Sequence, residues 1–200
     1  HPDINVRLEQ LKTAIKLVYA STFANTARSY FTAVNYKVEE EKMAVIIQEV
    51  VGHEYNEKYY PHISGVAHSF NYYPVSYMEP TDGFSVAGVG LGMYVVGGEK
   101  AYRFCPRFPK INPSSVQDQI RDSQSQFYAI DMSNPVFDLH SEGEMASIKK
   151  FKIREAEKDG TLINCVSTYD YENDCLVPTL DIKGARVIDF ANILKYNTIP

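Results

Sequence analysis

Tryptophan is missing altogether from this 200-residue chain, cysteine occurs three times, and no apolar stretch approaches the length of a membrane span. Each scarcity excludes something. A helix that crosses a bilayer needs about 20 consecutive, mostly apolar residues, and runs such as Ala44 to Ile47 fall far short. The cysteines, Cys105, Cys165 and Cys175, are odd in number and lack the CxxC spacing of zinc sites. They read as free thiols, which fits a reducing, cytoplasmic setting. The opening "HPDINVRLEQ" is polar and holds no apolar core of a secretory leader. With 20 basic against 25 acidic side chains the net charge is −5, which argues against broad nucleic-acid binding. Such binding requires a cationic surface that displaces phosphate counterions.

What is present is an ordinary globular composition, 44% hydrophobic and 22% charged, long enough for one domain or one large piece of a bigger protein. The chain starts on His1 instead of Met, and the expectation is a piece of a longer polypeptide. From Val6 to Val34 apolar residues such as Leu8, Leu11, Ile15, Val18 and Phe31 recur at helical spacing, with Arg7, Glu9, Lys12 and Lys16 opposite. This predicts one long helix, capped at Asn5 and broken near 21–25. The β-branched run from Met43 to Val51 predicts a strand buried on both faces.

Further strands are predicted over 63–71 and 83–90, and Met93 to Val96 fits either a short strand or a helix start. The prolines of "FCPRFPKINPSS" demand an extended or turning chain. A short helix running into a strand is expected over 114–132. Three strands then follow at 147–153, 160–171 and 175–182 as an antiparallel meander, and a strand-then-helix element closes the chain at 185–196. The fold class is therefore α+β, a long N-terminal helix followed by a mainly antiparallel sheet.

The stretch "SVAGVGLGMYVVGG" (85–98) is the densest in glycine. A dinucleotide fingerprint needs G-x-G-x-x-G between a strand and a helix. Here Gly88 and Gly90 fit, but Met93 fills the third glycine's place, and no Lys-Ser or Lys-Thr pair completes a P-loop. Spacing alone points to a tight turn where two backbones pack closely. His53, His62 and His68 are spaced like no helical or strand ligand pair and read as solvated loop histidines. Gln48, Glu49, Val50 and Val51 lie at a predicted strand exit before Gly52. Such an exit can present backbone donors and acceptors to a purine between aliphatic walls.

Four segments, in order, carry a resemblance: "AIKLVYASTFANTARSYF", "MAVIIQEVVG", "SGVAHSFNYYP" and "AGVGLGMYVVGG". They resemble the nucleotide-binding domain of the phosphoenolpyruvate synthase and pyruvate phosphate dikinase family, an ATP-grasp fold. Its patterns "SLF..RA..YR", "AVxVQxMV", "GVAFT..P.TG" and "GLGE.VV.G" fall on Tyr19 to Arg28, Ala44 to Val51, Gly65 to Ser69 and Gly90 to Gly97. The resemblance covers about residues 6–104. It implies an ATP-grasp subdomain core at 1–110 and a strand-rich extension of it at 111–200.

The resemblance also implies ATP and Mg²⁺ as cofactors. Gln48, Glu49, Val50 and Val51 become the adenine-contacting hinge, and Glu79 and Asp82 the candidate metal ligands. Arg28, Arg103 and Arg107 become the cations that face phosphates, Arg103 being the preferred catalytic candidate. Family members phosphorylate a carrier histidine from ATP and pass the group to pyruvate. The remaining ATP-grasp subdomain and the phosphohistidine domain would then act in cis, and this piece alone would be inactive. Two departures stand out, Val86 and Met93, where the family has acids. They favour the alternative of a catalytically degenerate nucleotide-binding or regulatory module. Neither nucleic acid nor membrane is expected as a partner.

Overall fold

The computed structural model describes residues 3–37, 40–134 and 136–196. In chain order the first elements are α1 (Ile4–Ser21), α2 (Asn25–Ala33), β1 (His53–Tyr55), β2 (Lys58–Tyr60), β3 (Ser64–His68), a 3-10 turn (Pro80–Asp82), β4 (Phe84–Gly88), α3 (Met93–Val96) and β5 (Tyr102–Phe104). Then follow α4 (Val116–Asp122), β6 (Gln126–Asp131), α5 (Leu139–Glu142), a 3-10 turn (Gly143–Met145), β7 (Ile148–Lys152) and α6 (Ile153–Lys158). The last are β8 (Val166–Asp170), β9 (Cys175–Val177), β10 (Arg186–Ile188) and α7 (Ala191–Leu194). Contacts divide the chain into two compact units, 1–50 with 132–147 and 51–131 with 148–200.

The first unit carries the predicted helix and its predicted break. The cap is two residues earlier than expected: Asp3, not Asn5, is the N-cap, and its Oδ1 accepts the Asn5 N–H at 2.8 Å. Aspartate at this position satisfies an orphan donor and favours the helix dipole. At the other end the Ser21 hydroxyl donates to the Val18 carbonyl at 2.7 Å, a local bond that competes with helix continuation. The chain then breaks over 22–24 before α2, whose Phe31 is buried.

The strand expected over 43–51 is not formed. Among the described residues no strand pairs with it, and Ile46, Ile47, Val50 and Val51 are exposed. Strand propensity spans about 1 kcal/mol and expresses fit to a pleated, covered surface more than a backbone preference. Without a neighbouring strand to take its backbone bonds, the β-branched run stays irregular.

The second unit holds three sheets of strand order β1-β2-β6-β7, β3-β4-β5 and β10-β8-β9, and every pairing is antiparallel. One core joins them, built around Tyr60, Val89, Phe127, Leu162, Val166 and Ile188. β6 alternates half-buried and buried residues, so Phe127 and Ala129 point inward. Phe127 packs on Tyr60 at 4.7 Å and on Phe151 at 5.9 Å between ring centroids.

The three-strand tail meander is corrected here. β7 pairs with β6, with Phe151 opposite Phe127, while β8 pairs with β9 and β10. Helix α6 and the turns at 159–165 separate β7 from β8. The aromatic cross-strand pair rewards the β6 partnership more than a β7–β8 hairpin, because Phe151 then joins the core.

The glycine stretch carries β4 directly into α3. Gly90 has φ +88°, and a Cβ there would lie 2.7 Å from the Tyr128 carbonyl oxygen. The next residue, Leu91, donates its N–H to that carbonyl at 2.8 Å. The buried Gln124 side chain accepts the Val89 N–H at 2.8 Å and donates to the Val89 carbonyl at 2.9 Å. The stretch is thus a strand-to-helix passage pressed against β6, and Gly90 is the residue the close approach requires.

Candidate functional site

The register of the β3-β4-β5 sheet decides which side chains share a face. His68 stands opposite Phe84, and Val86 stands opposite Arg103. Period-two alternation therefore puts His68, Phe84, Val86 and Arg103 on one face. The His68 and Phe84 rings stack at 4.6 Å with an interplanar angle of 15°. The Arg103 guanidinium lies over the Phe84 ring with Cζ 3.8 Å from its centroid. An exposed cation–π contact of this kind is worth about 0.5–1 kcal/mol.

Arg103 is also held from the side. Its Nη2 donates to Oδ1 of the buried Asn71 at 2.6 Å. The same oxygen accepts the Tyr73 N–H at 3.1 Å, and the Asn71 N–H donates to the Pro80 carbonyl at 2.7 Å. Asn71 thus ties β5 to the 80–82 turn. A guanidinium carries five donors, and among the described residues one is engaged, so the group is fixed in direction with most of its donors unspent. Beside it lies a cavity of about 190 Å³, lined among others by Asn71, Met78, Phe84, Arg103 and Cys105. That volume suits a phosphate-sized group rather than a whole nucleotide, since pockets for drug-sized ligands run to about 300–1,000 Å³.

Glu79 and Asp82 lie at the same end of the sheet. They form a reciprocal cap of the 80–82 turn, the Asp82 Oδ2 accepting the Glu79 N–H at 2.7 Å and the Glu79 side chain accepting in return. Asp82 Oδ1 accepts from Arg107 Nη1 at 2.6 Å. The Glu79 N–H and then the Arg107 guanidinium hold the Asp82 carboxyl below its usual range. As they stand, these carboxylates are committed to protein donors, and the set does not fit a hard divalent cation, which takes six or more oxygens. Among the described residues no group of three His, Cys, Asp or Glu is arranged to hold a metal ion.

The remaining candidates belong elsewhere. Gln48, Glu49 and Val50 lie in the first unit, in the irregular exposed segment, and Val51 opens the second unit. Arg28 is an exposed residue of α2. Met93 begins α3 and is half-buried. His62 accepts or donates at 2.6 Å to the Tyr55 hydroxyl, and its ring is 6.3 Å from that of His53. Sequence reasoning missed Asn71, Phe84 and His68. The signal that finds Phe84 and His68 is strand register, which puts residues from three separate strands in one row and cannot be read before the pairing is known, whereas Asn71 lies in the loop after β3.

The family model described as pyruvate phosphate dikinase, AMP/ATP-binding domain, matches residues 4–163. No curated protein and no solved structure matches.

Proposed function

Because the chain belongs to the family of the pyruvate phosphate dikinase AMP/ATP-binding domain, we propose that it supplies part of the ATP site of a phosphoenolpyruvate synthase-like phosphotransferase. In this reading Gln48, Glu49, Val50 and Val51 contact the adenine, and the Arg103 face receives a phosphate. ATP bound there supplies the phosphoryl group that a histidine on another domain carries to pyruvate. Phosphoryl transfer relies mainly on positioning and on charge stabilisation. Arg103 contributes both, since Asn71 and Phe84 fix its direction before any ligand arrives.

The observation that carries the reading is the Arg103 guanidinium, held by Asn71 and laid over the Phe84 ring beside a cavity of about 190 Å³. Mg²⁺ belongs to the reading as the counter-ion that accompanies ATP. The rest of the ATP-grasp fold and the phosphohistidine domain act in cis, in the cytoplasm.

A second reading is a nucleotide-binding or regulatory module of the same fold without turnover. Val86, Met93 and the capture of Asp82 by Arg107 favour it. The two are separated by incubating the intact protein with Mg-ATP and pyruvate and following phosphoenolpyruvate. Product formation that drops about a hundredfold in Arg103→Ala supports the enzyme. ATP binding with neither product nor phosphohistidine overturns it in favour of the module.

A further inference from the structure

A second group of cations lies on residues that the nucleotide reading does not use. Arg154 in the first turn of α6 and Lys183 in the loop before β10 line one cavity of about 430 Å³. An adjoining cavity of about 400 Å³ is lined by Lys152, Arg154 and Ser125. All three cations are exposed, and among the described residues none of them makes an ion pair. The neighbouring acids are already taken. Glu157 pairs with Arg186 at 2.8 Å, Glu155 with Lys158 at 3.0 Å and Asp122 with Lys100 at 3.0 Å. Asp181, two residues before Lys183, accepts the Thr179 hydroxyl at 3.0 Å.

The loop bearing Lys183 is held in place. Arg186 donates to the Ile182 carbonyl at 2.9 Å and to the Leu180 carbonyl at 3.0 Å. On the other side Gly184 lies so close to the Tyr169 carbonyl that a Cβ would collide with it. Ser123, in the cavity wall, accepts the Ile188 N–H at 2.8 Å, which leaves its O–H free to donate. A guanidinium, an ammonium and a hydroxyl, with the lining carboxylate Glu157 already paired to Arg186, match a multiply charged oxyanion.

We propose that this cavity binds a phosphorylated small molecule, independently of the ATP site. Its volume exceeds what inorganic phosphate fills and falls in the range of small-ligand pockets, about 300–1,000 Å³. Lys183 and Arg186 lie beyond residue 163, where the family match ends, so the site joins the family domain to the residues that follow it.

The test is calorimetric titration of the full chain with inorganic phosphate, diphosphate and glucose 6-phosphate at low salt. Saturable binding of at least one probe is expected, weakened about tenfold or more in Arg154→Gln and again in Lys183→Gln. Arg103→Ala and saturating ATP, which remove or fill the phosphate site on the Arg103 face, are expected to leave binding of glucose 6-phosphate unchanged. Tighter binding of glucose 6-phosphate than of inorganic phosphate supports a phosphate ester as the ligand, and the reverse order overturns it. The proposal is overturned by no saturable binding of any probe, by unchanged binding in the Arg154→Gln, Lys183→Gln double variant, or by competition from ATP. Circular dichroism of the double variant checks that its fold is intact.

Discussion

Replacing Gly90 by alanine tests how the glycine stretch works, because its neighbour Gly92 provides an internal control. At Gly90 the new Cβ meets the Tyr128 carbonyl oxygen at 2.7 Å and Phe127 Cδ2 at 2.9 Å, with the backbone at φ +88°. A non-glycine residue in such a conformation costs about 1–3 kcal/mol. Forcing a methyl group into a packed wall adds about 1–3 kcal/mol. If Leu91 is pushed from its 2.8 Å bond to Tyr128, about 1 kcal/mol more is lost. The sum, about 2–7 kcal/mol, is a large part of the roughly 5–15 kcal/mol that holds a typical domain folded. At Gly92 the nearest atom to a Cβ is Ser64 Oγ at 3.9 Å and φ is −57°. Gly92→Ala should therefore be neutral or slightly stabilising, by up to about 1 kcal/mol. The assay is urea unfolding followed by circular dichroism or tyrosine fluorescence, since the chain has no tryptophan to report. Equal midpoints for the two variants, or a Gly90→Ala loss below about 0.5 kcal/mol, would refute the close-approach argument.

Two further outcomes follow from buried groups in the second unit. Asp189 is buried, accepting from the Ser167 hydroxyl at 2.8 Å and the Ala191 N–H at 3.1 Å, and burial pushes its carboxyl up from 3.8. The folded state therefore binds this proton more readily than the unfolded state, so stability falls as pH rises from about 3.8 through the raised value. Asp189→Asn keeps an oxygen for Ala191 and an N–H₂ for Ser167 without the charge. It should be more stable than wild type at pH 7, and the gap should shrink toward pH 4; a gap that is constant or inverted across thermal melts would contradict this. Among the thiols, Cys105 and Cys165 are buried and Cys175 is half-buried. Burial and then Asp189 push the Cys165 thiol up to about 12. Ellman's reagent should accordingly label Cys175 first and reach the other two on the unfolding timescale, whereas three equally fast thiols would be incompatible with the core as described.

Much of this architecture is legible in local pattern. The helical stripe and its break, the strands around Val66 and Val86, and the strand-then-helix at 185–196 all follow from periodicity and turn chemistry. The failures share a cause. Met43 to Val51 has the composition of a buried strand, yet a strand is a relation between two segments, and composition cannot name the second one. The tail meander failed in the same way, because Phe151 pairs with Phe127 of the preceding strand β6 and not with β8. The candidate site shows both limits. Arg103 could be singled out from its place after the glycine stretch, but its partner Phe84 emerges only from register and Asn71 only from the fold of the loop after β3. Glu79 and Asp82 look like free carboxylates in sequence, while Arg107, which takes up Asp82, is 25 positions away.

The most direct measurement of the central claim is the affinity of the intact protein for Mg-ATP by calorimetry. It should be compared with a variant combining Gln48→Ala and Val51→Asp, which removes one polar side chain and places a charge on the aliphatic wall of the proposed adenine hinge. The account predicts saturable binding at one site and a loss of about tenfold or more in the variant. An intact protein that does not bind ATP, or a variant that binds it equally well, would contradict it.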